Sequence, residues 1–437
     1  MRHLCTGYIG CGPLRCVCSN CAPSCFRRQT SGPRSKFLGV SRSVIQVRTA
    51  RNLLAAQACQ GAAGWMQTTA GGWLAISLTD SASAVALFAF VSMSPSIVCT
   101  PIGGRLIDTH DPRRLAVTLG FLAALPPLLI GSLQLAGSIT YPILLLLTLI
   151  SSIPRSLQSP LFPHTISEYV PVEIRDRALA ISGALFNISK VIAPVIAGLL
   201  GPGCAFLGSS FLFIFVASTM VLTHLDPAQQ HVDTRKAKRP RKSWKSDLAA
   251  IRREPLVRAV FTAAVIFYFI SGSIHQLLAV IAADTSSTSS ALGYLFGAAA
   301  LGAVSVNRMA VRRLAHNPDR VRPIALSLFG SVIASVLLSL STSFAADIAL
   351  MFLLGGVGEI IWLTSQKALL LDAGKSNSGE IFGVFLGIIA LSTVLGSIVL
   401  GGLMDLAGTR SALLFIGIAG MMVVFVWIRT QAVVSSK

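Results

Sequence analysis

The sequence predicts an all-α polytopic membrane protein, twelve transmembrane helices in two six-helix pseudo-symmetric bundles. Three observations lead there. Only 12% of the 437 residues are charged while 53% are hydrophobic, and mean hydropathy is +0.71, far from the roughly 25% charge of a soluble domain. The apolar stretches are continuous over about 20 residues, the length of a helix that crosses a bilayer, and lack the alternation of a barrel strand. One polar segment, 224–258, divides them six and six.

In order, the expected spans are 53–78, 84–103, 115–135, 143–163, 179–200, 204–223, 259–282, 291–306, 323–340, 347–365, 381–403 and 411–428. They imply a basic Cys-rich extension at 1–51, a first bundle at 52–223, a basic linker at 224–258, a second bundle at 259–428 and a tail at 429–437. Span one carries Gln57, Gln60 and Gln67, whose spacings of three and seven put them on one helix face. With Trp65 and Trp73 in the same span, that stripe either lines a cavity for a bulky amphiphile or bonds to neighbouring helices. Gln158 in span four and Asn187 in span five are further cavity candidates.

Lys and Arg gather in the cytoplasmic loops of bilayer proteins, so their distribution tests the spans and orients them. Loops after even-numbered spans, with the C-terminal tail, hold 24 of them; loops after odd-numbered spans hold Arg410 alone. Both termini are therefore expected in the cytoplasm. The same rule accounts for the net charge of +19 and for the run "RKAKRPRKSWK" in the linker, which would lie beside anionic lipid headgroups. Nucleic-acid binding is not needed to explain it.

The halves echo each other weakly. "LTDSASAVAL" from Leu78 and "ADTSSTSSALGYL" from Ala283 each set an Asp before a Ser-rich start of an even-numbered span. The basic loop after span two has a counterpart, "NRMAVRRLAHNPDRVR", after span eight. Parallel repeats of this kind imply a substrate path between the halves near mid-membrane. The extension at 1–51 holds nine Lys and Arg, no acid, and six of the nine cysteines, in a spacing that fits no zinc pattern. It reads as a disordered tail, an organelle transit segment, or sequence upstream of a start near Val44.

Between spans two and three lies "GGRLIDTHDPRRL". Gly104, Leu106, Asp108, Arg113 and Arg114 resemble the loop signature G-x-L-x-D-R-x-G-R-K of the major facilitator superfamily, with Thr109, Asp111 and Pro112 as departures. "GWMQTTAGGWLAISLT" from Gly64, "YVPVEIRDRALAISGALFNISKVIAPVIAGLL" from Tyr169 and the segment around Gly379 resemble the branch of enterobactin exporters and macrolide-efflux permeases. The resemblance implies a conformational gate. Asp108 would sit against the positive N-terminal end of span eleven, and Arg113 and Arg114 would bridge to carboxylates such as Asp108 or Glu380.

Three charged residues lie deep within spans. Arg155, Lys190 and Glu359 each stand about 12 residues, hence about 18 Å, into spans four, five and ten. An ion at that depth costs several kcal/mol unless paired or hydrated, which makes each a candidate transport or coupling residue, or one member of an internal ion pair that fixes helix packing. Of 17 Asp and Glu residues only Glu359 lies at mid-membrane, so it is the expected proton carrier; His275 in span seven is the other group that titrates near neutral pH. "RSLQS" from Arg155 resembles the superfamily's R-x-x-Q-G pattern, which implies proton coupling. "KVIAPVIAGLLG" from Lys190 resembles, with Ala for Gly, the antiporter pattern ending G-P-x-x-G-G.

The expectation is thus a secondary transporter working by alternating access, effluxing a small molecule such as a siderophore or drug by proton antiport across a bacterial inner membrane, as a monomer. A lysophospholipid flippase of the same fold, or a uniporter or importer, is the alternative. No G-x-x-x-x-G-K-[ST] loop or H-E-x-x-H motif occurs, so no enzyme activity, cofactor or metal is expected.

Overall fold

The computed structural model describes residues 44, 46–223, 254–286, 288–314, 321–369 and 378–435, with backbone only at 97–98, 100–101, 104–105, 108, 307–314, 378–383 and 431–435. Most of the extension, the basic run at 235–245 and Arg320 lie outside the described set, and Arg308, Arg312 and Arg313 are described by backbone alone. All that follows concerns the unit Val44–Lys437.

Every regular element among the described residues is helical. The first half contains α1 (Arg48–Thr79), α2 (Ala82–Thr109), α3 (Pro112–Leu135), α4 (Tyr141–Gln158), α5 (Leu161–Tyr169), α6 (Val172–Leu200) and α7 (Pro202–Val221). Local chemistry sets the joints. Asp80 takes a left-handed backbone, φ 50°, and its N–H closes α1 on the Ile76 carbonyl; the next residue, Ser81, caps α2 by accepting from the Ala84 N–H. Asp111 caps α3 in the same way, followed by Pro112 at the first helical position.

The second half contains α8 (Pro255–Phe267), α9 (Ser273–Gln276), α10 (Leu278–Thr285), α11 (Ser289–Leu314), α12 (Val321–Leu340), α13 (Phe344–Lys367), α14 (Ser378–Ala407) and α15 (Thr409–Ser435). The turns α6–α7 and α14–α15 occupy matching places in the two halves and are built alike, on Gly201 at φ 76° and Gly408 at φ 84°. A side chain at either would strain a left-handed backbone.

Nine of the described helical segments are long and apolar enough to cross a membrane. The spans expected at 53–78, 84–103 and 143–163 are helical as well, but fall outside those nine. Two spans differ from expectation in shape. Span four, expected unbroken over 143–163, stops at Gln158 and resumes as α5 after Pro160, one turn beyond Arg155. Span seven, expected as one helix over 259–282, contains a π-helical turn at Tyr268–Gly272 and a second break at Leu277. Such turns widen a helix where the backbone must yield to its surroundings. Here the Phe269 carbonyl comes so close to α14 that only a glycine, Gly396, fits opposite.

Large apolar side chains face outward all round: Leu129, Leu146, Phe211, Leu326 and Phe415 are half or more exposed. A soluble protein does not carry a belt of that kind, whereas hydrocarbon accommodates it. Inside, α3 packs on α7, α1 on α6 and α7, and α11 on α13. Two seams join the halves, α6 along α11 and α2 along α14. The apolar core follows suit. At the end bearing Asp80 and Gly408 a single cluster draws on both halves, from Leu74 and Phe88 to Leu278, Leu295 and Leu400. At the opposite end each half has a cluster of its own, one around Leu53, Phe162 and Met220, the other around Phe261, Phe385 and Trp427.

The α11–α13 contact is the tightest of these. A methyl group at Gly355 would fall on the Ala299 carbonyl, and one at Gly302 on the Phe352 carbonyl, so the two backbones touch through glycines. Gly355 lies one turn before Glu359 and fixes where that carboxylate stands. Gly355→Val should therefore lower stability by about 1–3 kcal/mol, read as a lower melting temperature in detergent. Leu326→Ala on the outward face should leave the melting temperature unchanged.

Candidate functional site

Between the halves lies a chamber of two adjoining lobes that share part of their walls, of about 290 Å³ and 650 Å³. Trp65, Met93, His275, Gln276 and Phe296 belong to the walls of both lobes. The smaller lobe is lined by Gln57, Gln60, Ser92, Arg155 and Phe186, the larger by Asn187, Lys190, Tyr268, Glu359, Trp362 and Gln366. Of the four residues singled out for coupling, Arg155 thus lines the smaller lobe, Lys190 and Glu359 the larger, and His275 both.

Arg155 projects from the last turn of α4 and donates from Nη2 to the Ser92 carbonyl (3.2 Å) and hydroxyl (3.1 Å). Both acceptors are neutral, and no carboxylate among the described residues meets the guanidinium. Lys190 on α6 holds its ammonium 5.6 Å from the Trp65 ring centre and 5.4 Å from that of Phe186, within reach of the negative ring faces. Glu359 on α13 lines the same lobe and lies within electrostatic reach of Lys190 and Tyr268. His275, on the short helix between the two breaks of span seven, packs edge-on against Phe296 at 4.9 Å.

Of the polar cavity candidates, Gln60 and Asn187 line the chamber and two others do not. Gln67 exchanges hydrogen bonds with Ser209 and Ser151, and Gln158 is fully buried between the Gln60 amide and the Ala116 carbonyl. The face carrying the Gln stripe thus serves both readings, cavity wall at one level and interhelical bonding at another.

In the expected gate, Gly104 and Asp108 lie on the α2 backbone with side chains outside the described set, as is that of Glu380. Arg113 turns to the end of α7, donating to the Met220 carbonyl at 3.1 Å and to that of Val221. Arg114 makes an exposed 3.8 Å pair with Asp111. In this conformation both arginines work within the first half.

Among the described residues, Gln276 Nε2 donates to Met93 Sδ across the halves at the level of the chamber (2.9 Å), and further polar contacts between halves lie at the opposite end. Asp405, near the end of α14, accepts from Ser81 Oγ (2.9 Å), the Ala82 N–H (2.6 Å) and the Ser83 N–H (2.9 Å) at the start of α2. Two of those donors are among the amides a helix start leaves without partners, and they carry its positive end. At the corresponding place on the other seam, Ser289 Oγ donates to the Gly198 carbonyl at 2.9 Å. Nothing in the sequence marked Asp405 apart from other acids at span ends. Arg410 did carry a signal, as the lone basic residue in its class of loops. It pairs with Asp284 at 2.9 Å and with the fully buried Asp347 at 3.6 Å, and donates to the Leu338 carbonyl.

Several solved structures share this architecture. A bacterial homologue of the human lysosomal transporter Spinster, solved inward-facing and unoccupied, superposes with a TM-score of 0.67 at 15% identity, covering 87% of this chain and 96% of that one. The nucleoside transporter NupG gives 0.66 at 11%, covering 87% and 98%. A POT family transporter in complex with a thioalcohol-conjugated peptide gives 0.67 at 12%, covering 88% and 96%. At such identities the likeness is one of fold. No curated protein sequence matches the chain. The sequence profile of the Major Facilitator Superfamily matches residues 53–392, most of the described unit, and the chain belongs to that superfamily.

Proposed function

We propose that the protein is a proton-coupled secondary transporter that moves a small molecule through the chamber by alternating access, with Glu359 as the proton-carrying group. The observation that carries this reading is the chamber itself, a space between the halves lined by Arg155, Lys190, His275 and Glu359. Its geometry supports rocking of one half against the other. The apolar core is shared at one end and divided at the other, so closing one end and opening the other exchanges comparable surfaces.

The charge asymmetry of the loops supports placing both termini and the divided end in the cytoplasm. The Asp405 clasp is then an outer gate, and the Asp108, Arg113 and Arg114 cluster an inner one that engages when the outer gate parts. Gly104 would let the inner seam close. The resemblance to siderophore and macrolide exporters supports efflux across a bacterial inner membrane, with protons moving inward in exchange. One charge crossing 100 mV supplies about 2.3 kcal/mol. Co-transport is a second reading, favoured by one observation: among the described residues, two cations and a single carboxylate line the chamber, a balance that suits a substrate and a proton bound together.

In everted vesicles, Glu359→Gln should abolish pH-gradient-driven flux while substrate exchange at equal pH persists; undiminished gradient-driven flux at matched protein level removes Glu359 from the mechanism. Movement of labelled lysophospholipid in place of a soluble solute would mark a flippase. Asp405→Ala gives up charge-assisted bonds worth about 1.5–3 kcal/mol each. A single cysteine placed at Thr68 in the chamber wall should then react at least several-fold faster with an impermeant maleimide added to intact cells.

A further inference from the structure

Resting on the reading of the chamber as a transport site, we infer that its substrate is an organic anion with an aromatic or flat apolar body. Charge leads the argument. Arg155 and Lys190 are the cations of the wall, and Glu359 is its one carboxylate among the described residues. With His275 neutral, the empty chamber holds an excess of one positive charge at the depth where an uncompensated ion is most costly. Glu359 lies within electrostatic reach of Lys190. Among the described residues Arg155 has only the neutral Ser92 atoms, both met through Nη2, and Nε and Nη1 meet no acceptor there. Those remaining N–H groups lie on different edges of the guanidinium plane, and each can donate a charge-assisted hydrogen bond to an oxyanion such as a carboxylate. A cationic substrate would meet two like charges and gain one opposite charge already shared with Lys190.

Shape and apolar surface give the rest of the class. Trp65, Phe186, Phe296 and Trp362 bring flat faces to the walls, and the lobe volumes lie in the range of drug-sized ligands. The Gln57 carbonyl oxygen is buried without a donor beside the smaller lobe, so a hydroxyl or N–H on the substrate body completes it. A proton on Glu359 adds positive charge to the same space, and anion and proton therefore bind in mutual support.

The test is thermal stabilisation of the purified, full-length protein by matched sets of aromatic ligands: carboxylates such as 2-naphthoate, the corresponding amides, and the corresponding ammonium compounds. Carboxylates are expected to raise the melting temperature, with at least tenfold weaker binding by the amides and none by the cations. Affinity for the carboxylates should rise on acidification in the native protein and lose that pH dependence in Glu359→Gln. Arg155→Gln should weaken carboxylate binding at least tenfold and leave amide binding unchanged, with partial recovery in Arg155→Lys; unaltered amide binding shows that the variant is folded. Equal or better binding of amides or cations, no binding by any carboxylate, or indifference to Arg155→Gln overturns the assignment. Transport of a neutral or cationic solute would sink the anion while sparing the transport reading; anion binding without flux would do the reverse.

Discussion

Three ionisable side chains set within apolar stretches, Arg155, Lys190 and Glu359, constrain much of this molecule. Each would cost several kcal/mol if hydrocarbon closed around it, so the two halves must stand apart where Arg155, Lys190 and Glu359 lie. The gap cannot run from face to face without becoming an open pore. It is therefore sealed at one end by an apolar cluster to which both halves contribute, and below that seal each half keeps a core of its own. The small residues along α6, α11 and α13 serve the same end. They let helix backbones meet at Gly198, Gly293, Gly302 and Gly355, which brings the walls close enough to hold the ions without burying them in protein.

A seal that opens again, as the proposed cycle requires, cannot rest on apolar burial alone. The Asp405 contact suits reversal, because its donors are amides at a helix start and a serine hydroxyl, all able to bond to water once the carboxylate leaves. The matching place on the other seam uses a serine hydroxyl and a backbone carbonyl, a weaker neutral bond. The clasp is thus unequal between two otherwise similar seams. Arg410 plays a different part at that end. It ties Asp284, Asp347 and the Leu338 carbonyl together within the second half, so that half can move as a body without exposing a buried carboxylate.

Hydropathy located most of the helices, because the apolar length that spans a bilayer leaves an unambiguous mark on composition. The turn at Asp80 and Ser81 and the caps at Asp111 and Ser343 follow from local chemistry, which sequence carries directly. The charges at depth were legible for a similar reason: Glu359 stands out against an apolar background, and the structure sets it in one chamber with Arg155 and Lys190. What sequence did not carry is which neighbour each face meets. Periodicity placed Gln60 and Gln67 on one stripe, yet one reaches the chamber and the other bonds to Ser209 and Ser151, since the stripe crosses different helices at different heights. The breaks in spans four and seven were missed because Pro160 and Gly272 interrupt stretches whose apolar character continues past them. Asp405 meets Ser81 across 324 residues, a pairing with no local trace.

The charge of the chamber also bears on how the cycle runs. Occlusion, with both ends closed, is the moment when water is scarcest and an unbalanced charge is most expensive. Empty, with Glu359 ionised, the space holds one positive charge in excess, and protonating Glu359 alone raises the excess to two. A monoanion brings the ionised chamber to neutrality, and an anion of two charges does the same once Glu359 is protonated. On the proposed reading, the loaded carrier would pass through occlusion more easily than the empty one, and the number of protons that travel with an anionic substrate would be set by the substrate's own charge. Trp65 and Phe186 soften the penalty for the return step, because their ring faces hold the Lys190 ammonium when no anion is present. Arg155 has no such aromatic support beyond the Ser92 oxygens, which makes it the group that gains most from a substrate and the one whose neutral replacement would most ease the passage of an empty carrier.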